Sequence, residues 1–362
     1  MITFLIFMAV LGVLVLVHEW GHFIVARRSG MRVDEFGFGF PPRLFGIKRG
    51  ETIYSINWIP FGGFVKIYGE DGDDKEKPRS FGSKSISARL KVIVAGVVMN
   101  FLFAVLLLIL GNFFGLRIGL FDENLIAVAR DKKIQIIQVI SGSPAEKAGL
   151  KVLDEIIGFE LTNGTIKNTY TIEEVQAYTA ENIGKKVRMV VKDGGLTTIE
   201  IETRVNPPEG EGSMGIAMAL TGVVSYPWYE SIWRGVNDGL ILAYNTMYGY
   251  GLLFKNLFAD GKLMAEVSGP VGIATIIGQA ARVGFSYLMQ FVALISINLA
   301  ILNIVPFPAL DGGRALFLLI EKIKGKPIDK RIEAAVNSIG FALLITLMIY
   351  VTIKDITKFF SV

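Results

Sequence analysis

Four stretches of this 362-residue chain are apolar for long enough to cross a membrane, and that excludes most soluble folds before any motif is considered. They run from Ile2 to Ala26, Val92 to Phe114, Leu288 to Val305 and Ala334 to Ile353. A fifth apolar stretch, Leu240 to Phe254, is uncharged but short and rich in Gly, Tyr and Asn, and it reads as interfacial. Composition agrees: 52% of residues are hydrophobic, only 19% are charged, and the mean hydropathy is +0.50. The first apolar run lacks a basic leader and a small-residue cleavage site, so it is expected to be a retained span.

Loop charges orient the spans, because Lys and Arg beside a span tend to stay in the cytoplasm. Arg27 to Lys91 holds 13 basic and 8 acidic residues, and Arg314 to Glu333 holds 6 and 3. Between Gly111 and Ser286 the balance reverses to 16 and 19. The first and third loops are therefore expected inside, with both termini and the long middle region outside. A net charge of +4 and a pI near 9.0 come with no basic stripe interleaved with aromatics, so no nucleic-acid partner is expected. The lipid bilayer is the expected surroundings.

Both histidines of the chain fall in His18-Glu19-Trp20-Gly21-His22, inside the first span. Positions i and i+4 share a helix face, so two imidazoles can bind one zinc ion while Glu19 stands beside the open coordination position as a general base. A structural polar cluster is the other reading. A charged residue and two imidazoles at membrane depth favour a functional partner. A catalytic zinc takes three protein ligands, and with no cysteine in the chain and no third histidine the third must be a carboxylate. Asp311, in Asn303-Ile-Val-Pro-Phe-Pro-Ala-Leu-Asp311-Gly-Gly313, follows an apolar span at the matching depth. Its two prolines stop a regular helix and its paired glycines allow close backbone approach. Without a metal, the same aspartate would simply start the next helix. One Zn2+ per chain is the cofactor expected.

The middle region divides by composition. Leu125 to Val205 alternates like strands at Ile134–Ile140, Lys186–Val191 and Thr197–Thr203, and Ser141-Gly-Ser-Pro-Ala-Glu-Lys-Ala-Gly-Leu150 reads as a turn into a short helix. This predicts a water-soluble α+β module. Pro207-Pro208 and the Gly/Glu stretch after it read as a linker. Ser231 to Phe258, preceded by Trp228 and Tyr229, reads as a partly amphipathic helix, either lying on the outer leaflet or packed in solvent. The expected divisions are 1–116 (N-terminal membrane part), 117–206 (inserted module), 207–287 (extracytoplasmic interfacial helices) and 288–362 (C-terminal membrane part).

Taken together these residues resemble the site-2 protease family of intramembrane zinc metalloproteases, and within it the bacterial regulator-of-sigma-E branch with one PDZ domain. The resemblance rests on HExxH at 18–22, Gly37-Phe-Gly39, Pro60-Phe-Gly-Gly-Phe-Val-Lys66, Asn100, Asn298, Asn303 and Pro306-Phe-Pro-Ala-Leu-Asp-Gly-Gly313. It implies a polytopic α-helical membrane protein with four transmembrane helices, a membrane-associated β-hairpin loop and an inserted extracytoplasmic α+β PDZ domain. It implies His18, His22 and Asp311 as zinc ligands and Glu19 as the catalytic residue. Asn303, Asn298, Gly62, Gly63 and Phe64 would position substrate, with Tyr54 to Lys66 as a hairpin dipping toward the site. The substrates implied are membrane-spanning proteins of one span, such as anti-sigma factors or remnant signal peptides, cut after a first extracytoplasmic cut, in a bacterial cytoplasmic membrane. The PDZ domain would bind chain ends or extended segments. A catalytically idle PDZ scaffold with a structural zinc is the alternative, against which the intact Glu19 argues.

Overall fold

A computed structural model describes residues 2–70, 77–192, 195–260 and 269–360. Residues 71–76 of the expected cytoplasmic loop and 261–268 of the expected interfacial region lie outside them. In chain order the elements are α1 (Ile2–Arg28), β1 (Val33–Arg49), β2 (Thr52–Ile67), α2 (Ile86–Phe114), β3 (Leu116–Gly119), α3 (Glu123–Val128), β4 (Arg130–Val139), α4 (Pro144–Lys147), β5 (Glu155–Glu160) and β6 (Ile166–Asn168). They continue with α5 (Ile172–Glu181), β7 (Lys186–Lys192), β8 (Leu196–Glu202), β9 (Ile216–Val224), α6 (Trp228–Asp260), α7 (Pro270–Val283), α8 (Phe285–Ile304), α9 (Asp311–Lys324) and α10 (Lys330–Phe360). Two compact units result. One comprises Met1–Ile109, Trp233–Gly278 and Phe291–Ser361; the other comprises Leu110–Ile232 and Gln279–Gln290.

The four expected spans are α1, α2, α8 and most of α10, and all four are long and apolar enough to cross a membrane. The helices outrun the apolar stretches because backbone hydrogen bonding continues into polar sequence; α2 starts at Ile86, with the Ser85 hydroxyl accepting from Ala88 N at 3.3 Å. The α1 helix ends on Arg27 and Arg28 where Gly30 takes φ +70 and Met31 N donates to Ala26 O.

In the first unit, Phe23 and Ala26 of α1, Val33, Ile67, Val92 and Ile93 of α2, and Ala315 and Leu318 of α9 form one buried cluster. That cluster draws the first span, the β1/β2 sheet, the second span and α9 together. A second cluster joins Ala104 and Leu108 of α2 to Ala293 and Ile297 of α8, with Leu242 and Ala243 of α6 packed against it. Gly235 and Gly239 let α6 approach closely; a Cβ on either would come within 2.5 Å and 2.7 Å of Ile109 and Val105. The α6 helix therefore runs lengthwise along α2, and its one-sided packing accounts for the partial amphipathicity of its sequence.

The β-structure after α1 is larger than the hairpin expected over Tyr54 to Lys66. Its tight turn is at Gly50 (φ +64), where Arg49 faces Thr52, and residues 54–66 all belong to β2. Pairing is double: Phe36 lies opposite both Tyr54 and Val65, and Phe38 opposite both Ile56 and Gly63. The 36–38 segment of β1 is thus sandwiched within the sheet, leaving 43–49 and 63–67 as outer segments. The sequence hid this because β1 has a glycine every few residues and two prolines, which read as turn signals. Phe40, Phe45, Ile56 and Trp58 are exposed, an apolar surface suited to lipid tails.

The second unit carries a seven-stranded sheet in the order β3-β9-β4-β5-β7-β8, with β6 paired to β5. The expected strands are present as β4, β7 and β8. Its core centres on Phe159, fully buried and stacked on Tyr178. At the expected turn, Gly142 takes φ +75, Ser143 Oγ accepts from Glu146 N at 3.2 Å, and the Glu146 carboxylate accepts from Gly142 N at 2.6 Å. Pro207-Pro208 is a loop inside this fold, because β9 lies beyond it, hydrogen-bonded between β3 and β4. The sheet therefore extends to Val224, past the expected boundary at 206.

Candidate metal centre

The α1 helix brings His18 and His22 to one face, one turn apart. Gly21, on the neighbouring face, lets α1 cross α2 closely: a Cβ there would lie 2.4 Å from Ala95 O. On α2, Gly96 in turn makes room for both imidazoles, since a Cβ would stand 2.5 Å from His22 Nε2 and 2.8 Å from His18 Nε2.

Asp311 arrives by a compact reversal after α8. Val305 N, Phe307 N and Leu310 N donate to the carbonyls of Leu302, Val305 and Phe307, and Ala309 takes φ +72. The paired glycines then fold back over this turn. A Cβ on Gly312 would lie 2.1 Å from Val305 O, and one on Gly313 2.3 Å from Phe307 O. From α10, Asn337 Oδ1 accepts from Ala309 N at 3.1 Å, and Gly340 receives Pro308. The close backbone approach expected from Gly312-Gly313 is what delivers the aspartate.

The three side chains meet. His18 Nε2 and His22 Nε2 lie 3.0 Å and 3.4 Å from Asp311 Oδ2 and 3.2 Å from one another. A tetrahedral zinc with bonds of about 2.0–2.1 Å separates its ligand atoms by about 3.3–3.4 Å, so the spacing suits one small divalent ion. Asp311 Oδ2 is buried with no hydrogen-bond partner among the described residues, an acceptor lone pair aimed at the same point. His22 Nδ1 donates to Val92 O at 2.8 Å, which selects the tautomer whose Nε2 is a free ligand. The residues present therefore fit zinc.

Glu19 is half-buried on α1 beside this cluster, and the β1/β2 sheet reaches it: a Cβ on Gly63 would lie 3.4 Å from Glu19 Cγ and 3.1 Å from Val15. Gly62 takes φ +84 against the Phe40 ring, and Phe64 packs over Gly37. Gly63 is thus drawn to the base, whereas Gly62 and Phe64 pack within the β1/β2 sheet. Asn298 is not left facing a vacant cleft: its Oδ1 accepts from Tyr250 of α6 at 2.7 Å and its Nδ2 donates to Leu294 O. Asn303 is half-buried near the end of α8, just before the reversal. Val92, Gly96 and Asn337 were not foreseen. A carbonyl leaves no sequence signal, but a glycine among large apolar residues of a span, as at 96, and an asparagine in the last span are visible marks of close packing and polar contact.

Residues 6–347 match peptidase family M50. A protein of Clostridium acetobutylicum, provisionally named a zinc metalloprotease, is 36% identical over 348 residues, covering 95% of this chain and 94% of that one. The zinc metalloprotease RasP of Geobacillus kaustophilus is 30% identical, covering 98% and 97%. The regulator of sigma-W protease RasP of Bacillus subtilis strain 168 is also 30% identical, covering 99% of each.

Proposed function

Because the chain belongs to peptidase family M50, we propose that it is an intramembrane zinc metalloprotease that hydrolyses peptide bonds within or near the span of single-span membrane proteins. The observation that carries this reading is the convergence of His18 Nε2, His22 Nε2 and Asp311 Oδ2 within 3.4 Å of one another, from a helix able to span the membrane and the turn after another. Bound there, zinc would supply a water made acidic enough to deprotonate near neutral pH and a Lewis acid for the scissile carbonyl.

Glu19 acts as general base and then acid: its carboxylate takes the proton of the attacking water and returns it to the departing amine. His18, His22 and Asp311 would hold the ion in one place, so that no reorganisation would be needed during reaction. A substrate span must be unwound first, since helical carbonyls are hydrogen-bonded to their own chain. The outer segment 63–67, with Gly63 against Glu19, supports holding the unwound stretch by strand addition. Asn303, just ahead of the turn to Asp311, is read as positioning the bound chain. Asn298, held by Tyr250, would reach substrate only when that hydrogen bond opens.

We read the second unit as a PDZ domain that binds chain ends or extended segments and admits substrates already trimmed outside. We read the substrates as membrane-bound proteins such as anti-sigma factors, cut in a second, regulated step; the relative named as the regulator of sigma-W protease supports a membrane-bound substrate. The loop charges support a bacterial cytoplasmic-membrane location with both termini and the PDZ domain outside. One zinc per chain is the stoichiometry this reading carries, supported by one ligand set among the described residues.

The test uses the purified chain in detergent with a tagged single-span peptide. Wild type should contain near-stoichiometric zinc and cut the peptide, and a chelator should stop the reaction. Glu19→Gln should keep its zinc yet lose cleavage by about 10²–10⁴-fold. Cleavage that survives chelation would overturn the metalloprotease reading.

A further inference from the structure

The two imidazoles are held from a stripe on α2 made by Val92, Gly96 and Asn100, four residues apart and so on one helix face. Helix carbonyls point toward the C-terminus and side chains lean toward the N-terminus. The Val92 carbonyl therefore reaches forward and the Asn100 amide reaches back, and both arrive level with Gly96, where the rings lie. That converts an eight-residue separation on α2 into partners for two histidines one turn apart on α1.

Half of this arrangement is complete: Val92 O accepts from His22 Nδ1. The other half is Asn100, 1% exposed within an apolar span, with its amide 3.3 Å from His18 Nδ1. Its Oδ1 is buried with no hydrogen-bond partner among the described residues. A buried amide is expensive in a span unless it has work to do. Its backbone is fixed as well, since Ser296 of α8 donates its hydroxyl to Asn100 O at 2.7 Å.

We infer that Asn100 is a positioning residue for the metal centre, its Oδ1 accepting from His18 Nδ1–H so that His18 presents Nε2 as a ligand. The amide nitrogen and oxygen occupy nearly the same volume, so a half-turn of the side chain exchanges them without repacking. Val92 does the same for His22 with a carbonyl that cannot turn. The two histidines thus differ: one is oriented by backbone, the other by a replaceable side chain.

This inference rests on the metalloprotease reading above, and the experiment separates the two. Zinc affinity is measured by chelator competition on the full-length chain in detergent, with the visible spectrum of the cobalt(II)-loaded protein as a second readout. Asn100→Leu and Asn100→Ala, which remove the acceptor, should each weaken zinc binding by about 10–100-fold and change the cobalt spectrum. Asn100→Asp, which keeps an oxygen at that place, should restore affinity to at least the wild-type value. Wild-type affinity in the Leu and Ala variants would overturn the role of Asn100 alone, as would equal loss in all three, which signifies packing. If wild type itself binds no zinc, or Asp311→Ala binds it equally well, the metal centre and this inference fall together.

Discussion

At the scale of single residues, the centre consists of three atoms that can each turn a lone pair toward a shared cation. Nε2, Nε2 and Oδ2 carry lone pairs, and Asp311 Oδ2 is left without a hydrogen bond in a buried place. Removing the aspartate leaves two ligands where catalytic zinc needs three. Asp311→Ala should therefore lose most bound zinc by elemental analysis and lose cleavage with it. Unchanged metal content would show that another ligand had been taken for granted. Glu19 differs in kind, because it lies outside the proposed ligand set and its loss should leave the metal in place. The three residues that the structure brings together, His18, His22 and Asp311, stand out in the sequence, as does Glu19, because polar residues are rare in apolar surroundings. The partners that orient them were harder to see: one is a backbone carbonyl and another, Gly96, matters for the atoms it lacks.

Among the elements, α1 and the turn into α9 supply the proposed ligands, and α2 and α10 hold those two in place. Where Gly312 meets Val305 O, the reversal has no room for a methyl group. Gly312→Ala should push Asp311 out of register and reduce both zinc content and activity, whereas Gly325→Ala, at the far end of α9 where a Cβ would meet nothing within 4 Å, should spare the metal. Zinc analysis of the two variants checks this; equal zinc in both would mean that the turn is not what delivers the aspartate. Gly325 has φ +69, so its replacement should lower the thermal midpoint modestly without touching the site. The spans were readable from hydropathy because each needs only its own composition. The β1/β2 sheet was read as a smaller hairpin, because its pairing is set by which segments meet and not by local propensity.

For the whole molecule, the stretch 116–224, which carries the sheet of the second unit, lies between chain positions that are side by side: a Cβ on Gly115 would be 3.9 Å from Ser225 Cβ. Such an insertion can be removed without stretching the rest. Because β9 belongs to the sheet, the excision must run from 116 to 224; cutting at 205 would strand β9 with its hydrogen bonds unmade. Joining Gly115 to Ser225 should leave cleavage of a short, pre-trimmed substrate near wild type while relaxing the exclusion of a substrate with a bulky external domain. Measuring both substrates decides it: loss of the first reaction means the unit is needed for folding, and unchanged exclusion of the second means it does not filter.

Sequence alone determined that the chain is membrane-spanning, where its four spans run, and which residues can bind zinc and move a proton, because hydropathy and functional-group chemistry are properties of short segments. Tertiary structure decided that Asp311 reaches His18 and His22, that 36–38 is paired on both sides, that β9 completes the inserted sheet, and that Asn100 lies against His18. Those are contacts between residues far apart in the chain, created by packing, and no local pattern encodes which distant partner a strand edge, a carbonyl or a missing side chain will meet.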